Sequence, residues 1–136
     1  MLKLNLLHPE ILSVLGSNGH GARVLIADGN FPFMTGTPGH ARKVFLNLSP
    51  GMLTVTDVLS VIKDYIPVES AIIMSPPDES EQLIYRQFQE ILGAGIDFKK
   101  EKRTGFYFET KSEDTCLVIA TGETRRYANI LLIIGS

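Results

Sequence analysis

A single cysteine, Cys116, leaves the chain no means of forming an internal disulfide. That excludes a disulfide-stapled secreted scaffold and fits a reducing, cytoplasmic setting. Cys116 opens the apolar run Cys116-Leu117-Val118-Ile119-Ala120, where a small buried hydrophobe is expected rather than a reactive thiol. No apolar stretch approaches the ~18 residues of a membrane-spanning helix, and Met1 to Leu7 is too short and too interrupted for a signal peptide. Neither sign of charge dominates, since 13 basic and 15 acidic residues give a formal charge of −2. The electrostatic footprint of a nucleic-acid binder is therefore missing. Several chemical motifs are missing too. Gly16-Ser17-Asn18-Gly19-His20-Gly21 lacks the Lys-Ser/Thr of a phosphate-cradling loop and does not match dinucleotide spacing. No Gly-x-Ser-x-Gly elbow is present. The three histidines, His8, His20 and His40, show no paired-ligand spacing, so neither a metal nor a cofactor is expected.

What remains is the composition of an ordinary globule. The chain has 136 residues, 44% of them hydrophobic and 21% charged. That is the size of one domain, 1–136, able to bury roughly 68% of the surface its unfolded form exposes. Helical spacing runs from Pro9 to Leu15 and stops at Gly16 to Gly19. A second helix, capped by Thr54 or Thr56, runs to about Tyr65. A third is expected over Glu79 to Leu92, where charges and glutamines oppose Leu83, Ile84, Phe88, Ile91 and Leu92. Val24–Ala27, Val68–Met74, Leu117–Ala120 and Ile130–Ile134 read as buried strands. Lys43–Leu48 and Phe98–Arg103 are weaker strand candidates, and Gly105–Lys111 fits strand or helix. Continuously apolar strands alternating with helices predict an α/β domain with a mainly parallel sheet covered on both faces.

The stretch richest in chemical groups is Gly19-His20-Gly21 followed by the run Val24 to Ala27 and then Asp28-Gly29-Asn30-Phe31-Pro32. An imidazole, which can exchange protons at neutral pH, and a carboxylate stand at the two ends of one strand. The plain readings are a hydrogen-bonded turn histidine and an aspartate bonding its own backbone. The strand holds the two apart unless the turn folds back or a second subunit brings another site edge close. Open α/β sheets bind ligands at the carboxyl ends of their strands, where Asp28 lies. Further along, Arg103-Thr104-Gly105-Phe106-Tyr107 offers a cation and a phenol. Thr121 to Asn129 joins two apolar strands through a dense polar connection, with Tyr127 and Asn129 as donors and acceptors suited to hydroxyls. Alone, each segment also fits a solvated surface.

In order and at these separations, the segments resemble the family of ribose pyranases and L-fucose mutarotases. The resemblance rests on Gly19-His20-Gly21, Asp28 with Phe31-Pro32, Arg103 with Phe106-Tyr107, and Thr121-Gly122-Glu123 with Tyr127-Ala128-Asn129-Ile130-Leu131-Leu132, and it covers nearly the whole chain. It implies a three-layer α/β/α sandwich, with Gly105–Lys111 helical. It implies His20 as the catalytic acid, and Asp28, Arg103, Tyr107, Tyr127, Ala128 and Asn129 as residues lining a free monosaccharide. It also implies ring-like homo-oligomers, often decamers, with the site at a subunit boundary. No metal, nucleic acid or membrane enters. Arg103 with Phe106-Tyr107 is similar to the fucose branch, which makes an L-fucose mutarotase the expected activity. Tyr127-Ala128-Asn129 is similar to the ribose branch, and Gly29-Asn30 stands where the fucose branch often has Ala-His. A D-ribose pyranase and a non-catalytic sugar-binding protein on the same fold are the alternatives.

Overall fold

In the computed structural model, which describes residues 1–136, six strands and four helices follow one another as α1 (Pro9–Ser17), β1 (Arg23–Ala27), β2 (Arg42–Phe45), α2 (Val55–Ile62), β3 (Val68–Met74), α3 (Leu83–Leu92), β4 (Asp97–Glu101), α4 (Arg103–Thr110), β5 (Thr115–Ala120) and β6 (Ile130–Ile134). The strands form one sheet in the order β2-β5-β1-β6-β3-β4. β1, β2 and β5 run parallel, as do β3 and β4, while β6 lies antiparallel to both β1 and β3. The sheet is therefore mainly parallel with one reversed strand at its centre. No helix is long and apolar enough to cross a membrane.

The strands are apolar without interruption because both faces are covered. Successive side chains alternate between two cores. Val24 and Ile26 of β1, Leu117 and Ile119 of β5, and Ile130 and Leu132 of β6 pack in a 22-residue cluster beneath α1, α2 and α3. Leu25, Ala27, Val118 and Leu131 face the other way, into a 9-residue cluster closed by Phe31, Ala41 and Phe106. That second layer is thinner, built from α4 and the loop 28–41. Phe106 is fully buried, and the Thr110 hydroxyl donates to the Gly36 carbonyl at 2.7 Å, fastening α4 to the loop. A three-layer α/β/α arrangement results.

Most elements match the expectations, and the differences have local causes. Thr54 caps α2 through a capping box with Asp57. α3 begins at Leu83 rather than Glu79. The Asp78 carboxylate accepts the Ser80 N–H at 3.1 Å and Glu79 adopts φ 57°, so 78–80 form a turn that a helix cannot continue through. Gly105–Lys111 is helical, as part of α4.

Candidate functional site

The nine residues 121–129 link β5 to β6, which flank β1 on its two sides. A parallel return would need a crossover of about a dozen residues or more. This connection is shorter, so the chain passes over the carboxyl end of β1 and comes back antiparallel. Its path is fixed at several points. The Thr121 hydroxyl donates to the Ala27 carbonyl at 2.7 Å. The Gly29 N–H donates to the Glu123 carbonyl at 2.9 Å. Gly122 lies against the carbonyls of Ser49 and Met52, leaving no room for a Cβ. The Glu123 carboxylate is buried and accepts a bidentate pair from Nε and Nη2 of Arg125, at 3.1 and 2.9 Å. Burial alone would raise its carboxyl. The Arg125 side chain and backbone, together with the Val55 N–H, hold it below the usual carboxylate range instead.

This path lays Asn129 directly on Asp28. The Asp28 N–H donates to the Asn129 side-chain oxygen at 2.7 Å, and the Asn129 amide donates to the Asp28 carboxylate at 3.1 Å. The other carboxylate oxygen accepts the Asn30 N–H at 3.0 Å. Burial pushes the Asp28 carboxyl above the ordinary aspartate value, against hydrogen bonds from Asn30, Ala128, Asn129 and Phe31 that pull it down. Tyr127 sits in the left-handed region, φ 58°. Such a conformation costs of order 1–3 kcal/mol in a non-glycine residue. Here it turns the ring toward the cavity as the chain enters β6.

Asp28, Asn30, Phe31, Met74, Arg103, Tyr107, Arg126, Tyr127 and Asn129 line one cavity of about 500 Å³ at the carboxyl ends of β1 and β3. Small-molecule sites span roughly 300–1,000 Å³. Arg103 is the first residue of α4, and Tyr107 follows one turn later. The Tyr107 ring stands edge-on to Phe31, centroids 5.4 Å apart, which fixes it at the cavity wall. The wall thus offers hydroxyls, amides, a carboxylate and two guanidinium groups around an aromatic floor, a set suited to a polyhydroxylated ligand.

Of the residues singled out in the sequence, Asp28, Arg103, Tyr107, Tyr127 and Asn129 converge here. Ala128 has its side chain sealed in the core beneath the helices, so only its backbone reaches Asp28. His20 lies elsewhere in the protomer. It occupies the turn at the amino end of β1, a strand that carries the chain roughly 16 Å from Arg23 to Asp28 at ~3.3 Å per residue. Its Nε2 pairs with Glu69 Oε1 at 3.3 Å, and its side chain is 62% exposed. The turn does not fold back, and of the two routes by which His20 could meet Asp28 only a second copy remains. Gly21, at φ 89°, lets the chain leave this turn for β1. No group of three or more histidine, cysteine, aspartate or glutamate side chains is placed to hold a metal ion. Cys116 is half-buried against the Arg23 carbonyl, and burial raises its thiol.

Met74 and Arg126 line the cavity without having been singled out. Met74 ends β3, and the carboxyl-end rule marks it in retrospect. Arg126 lay within the polar connection, where nothing in the sequence separates it from Arg125, whose guanidinium turns inward to Glu123.

The whole chain, residues 1–136, matches the RbsD / FucU transport protein family. A D-ribose pyranase of Variovorax paradoxus is 32% identical over 135 residues, covering 99% of this chain and 98% of that protein. A fucose mutarotase of Danio rerio is 30% identical over 138 residues, covering 94% and 88%. The structure of Bacillus subtilis RbsD complexed with D-ribose superimposes with a TM-score of 0.86 at 26% identity, covering 100% of this chain and 98% of that one.

Proposed function

The chain belongs to the RbsD / FucU transport protein family, and on that premise we propose that it is a sugar mutarotase whose substrate is L-fucose. The observation that carries this reading is the convergence of Asp28, Arg103, Tyr107, Tyr127 and Asn129 on one polar cavity at the carboxyl ends of the strands. Anomer exchange proceeds through the open-chain aldehyde. The proton leaves the anomeric hydroxyl, the bond from the anomeric carbon to the ring oxygen breaks, and the ring oxygen takes up a proton. Rotation about the first carbon–carbon bond and closure on the other carbonyl face give the second anomer. General acid–base side chains suffice for each step, and one well-placed group contributes ~10²–10⁴-fold. His20 is the proposed proton carrier. Glu69 engages its Nε2, an arrangement that puts the ring proton there and leaves the Nδ1 lone pair for the sugar. Asp28 accepts hydrogen bonds from sugar hydroxyls, and Arg103, Tyr107, Tyr127 and the Ala128-Asn129 edge hold the rest.

His20 reaches this cavity from a second copy of the chain, in a ring-like homo-oligomer. Two features support such assembly. One is the separation of His20 from Asp28 within the protomer. The other is a run of exposed apolar side chains, Phe45, Leu48, Met52 and Leu53, along edge strand β2 and the turn after it. Leu48 shares a groove with Asn30 and Thr124, beside the site. The single cysteine favours a cytoplasmic location.

D-ribose is the second reading for the substrate, with pyranose–furanose interconversion as the reaction. Tyr127-Ala128-Asn129 favours it, and so does the similarity to RbsD complexed with D-ribose. Saturation-transfer NMR on a panel of L-fucose, D-ribose and galactose separates these readings. The expected result is accelerated exchange of L-fucose, returned to the buffer rate by His20→Ala. Wild-type protein that leaves L-fucose and D-ribose at the buffer rate overturns the enzyme. Sugar binding without exchange, in wild type and His20→Ala alike, assigns the protein to sugar binding alone.

A further inference from the structure

The amino-end face that carries His20 also carries a carboxylate. Glu69 stands near the start of β3, and its Oε1 meets His20 Nε2 at 3.3 Å. The Glu69 side chain is half-exposed, and its second oxygen, Oε2, has no partner in the chain. Any assembly that brings His20 to a neighbouring cavity brings Glu69 with it, because the two side chains are in contact. Glu69 does not reach the cavity of its own chain. β3 and β1 both lie antiparallel to β6 and so point the same way, and β3 runs roughly 16 Å from Glu69 to Met74 at ~3.3 Å per residue.

The cavity holds a cation in need of such a carboxylate. Arg126 lines it, is exposed, and joins none of the ion pairs of the chain. The only carboxylate in the cavity wall, Asp28, is already engaged by Asn129 and Asn30. The cations on the other flank are placed differently. Lys102, the N-cap of α4 with no side-chain cap hydrogen bond, shares a cavity of about 270 Å³ with the unpaired Glu79. Arg103 follows Lys102 directly, so that flank has a carboxylate of its own. A guanidinium with free donors and a carboxylate with a free oxygen are complementary in shape and charge. Complementary charges of this kind fix the register of two docked surfaces.

We propose that Arg126 forms an ion pair with Glu69 of a second copy, holding the incoming His20 in place over the Asp28 cavity. The proposal rests on the reading of one site shared by two copies. It goes beyond that reading by naming the contact that sets their register. Arg126 is then a positioning residue, acting on His20 through Glu69. The contact joins position 126 of one copy to position 69 of the next, the head-to-tail pairing from which closed rings are built. Within its own copy His20 faces Glu69 from β3, and His40, Glu113 and Asp114 across the cavity beside its turn. Glu113 is itself beside His40. A guanidinium on Glu69 takes up part of the negative charge that otherwise stabilises the imidazolium.

Two measurements on the full-length protein test the pairing. In the first, a chain carrying Cys116→Ala, Arg126→Cys and Glu69→Cys is treated with a short bismaleimide. The expected product is a ladder of covalent species beyond the dimer, with monomer alone from chains that carry only one of the two new cysteines. A cross-link in either single-cysteine chain means like-to-like contact and overturns the proposal, as does an assembled protein that gives no link. The second measurement is the pH profile of sugar exchange by saturation-transfer NMR, and it does not depend on the cysteine variants. In Arg126→Gln the acid limb is expected to move up by about half a pH unit or more, because Glu69 then serves the imidazolium alone. Arg126→Lys, which keeps the charge, reverses most of that shift. In a Glu69→Gln chain the further change Arg126→Gln leaves the limb where it is. A raised KM with an unmoved limb gives Arg126 to the sugar and overturns the pairing while the shared site stands. Wild-type protein without sugar exchange overturns the reading of the site itself.

Discussion

Ionising Asp28 costs the folded chain something the unfolded chain does not lose, because burial raises its carboxyl above the ordinary value. The folded state therefore holds this proton more tightly, and stability from this group declines as pH rises through the folded pKa. Asn129 limits the decline by donating to the charged form. Asn129→Ala leaves the buried Asp28 N–H without its acceptor and the carboxylate with one donor fewer. We expect a loss of ~1–3 kcal/mol, larger at neutral than at acid pH, with sugar exchange falling alongside. Denaturant titration at the two pH values and exchange NMR read both effects. Glu123 has the opposite sign. Its carboxyl lies below the ordinary value of 4.5, so its stabilisation is present above that value and is lost as pH falls through the lowered pKa. Glu123→Gln is expected to destabilise at pH 7, with the gap to wild type closing in acid, as pH-dependent melting will show. Asp28 and Asn129 could each be marked as polar turn residues from the sequence. Their mutual clamp could not, because 101 positions separate them and only the strand order makes them neighbours.

At the scale of elements, hydrophobic pattern marks Val68–Met74 and Ile130–Ile134 at their observed bounds, since short apolar stretches rich in isoleucine between turns have few other uses. The amphipathic pattern places the start of α3 too early, because it extends through residues that the Asp78 turn withdraws from the helix. α4 stayed ambiguous by pattern alone, and its short, polar sequence explains why. Only Phe106 and Thr110 are buried, too few to establish a period. The reversal of β6 lies in the length of its connection rather than in any strand residue, and that same short connection carries Tyr127 and Asn129 over β1. The cations at the start of α4 give an element-level test. Lys102→Ser supplies a side-chain cap and removes one adverse charge, so we expect a gain of about 0.5–1 kcal/mol in unfolding free energy.

At the scale of the whole molecule, the two halves of the proposed chemistry lie at opposite ends of one chain, and the proposal assigns their meeting to a second copy. The cavity with Asp28 lies at the carboxyl end of the sheet, His20 with Glu69 at the amino end, and the strands between are rigid core. Sequence spacing alone signalled this difficulty, because a histidine and an aspartate flanking a single buried strand must lie at opposite ends of it. What the sequence did not carry was which residues accompany each end. The central claim is therefore that one catalytic site takes His20 from one copy and Asp28 from the next. Co-expression of His20→Ala and Asp28→Asn chains, followed by saturation-transfer NMR on the purified mixed assembly, tests it most directly. Each variant alone is expected to be inactive. In a randomly mixed closed ring about a quarter of the sites pair an intact His20 with an intact Asp28, so the mixture should recover about a quarter of wild-type exchange. A mixed assembly no more active than the two variants alone would contradict the account.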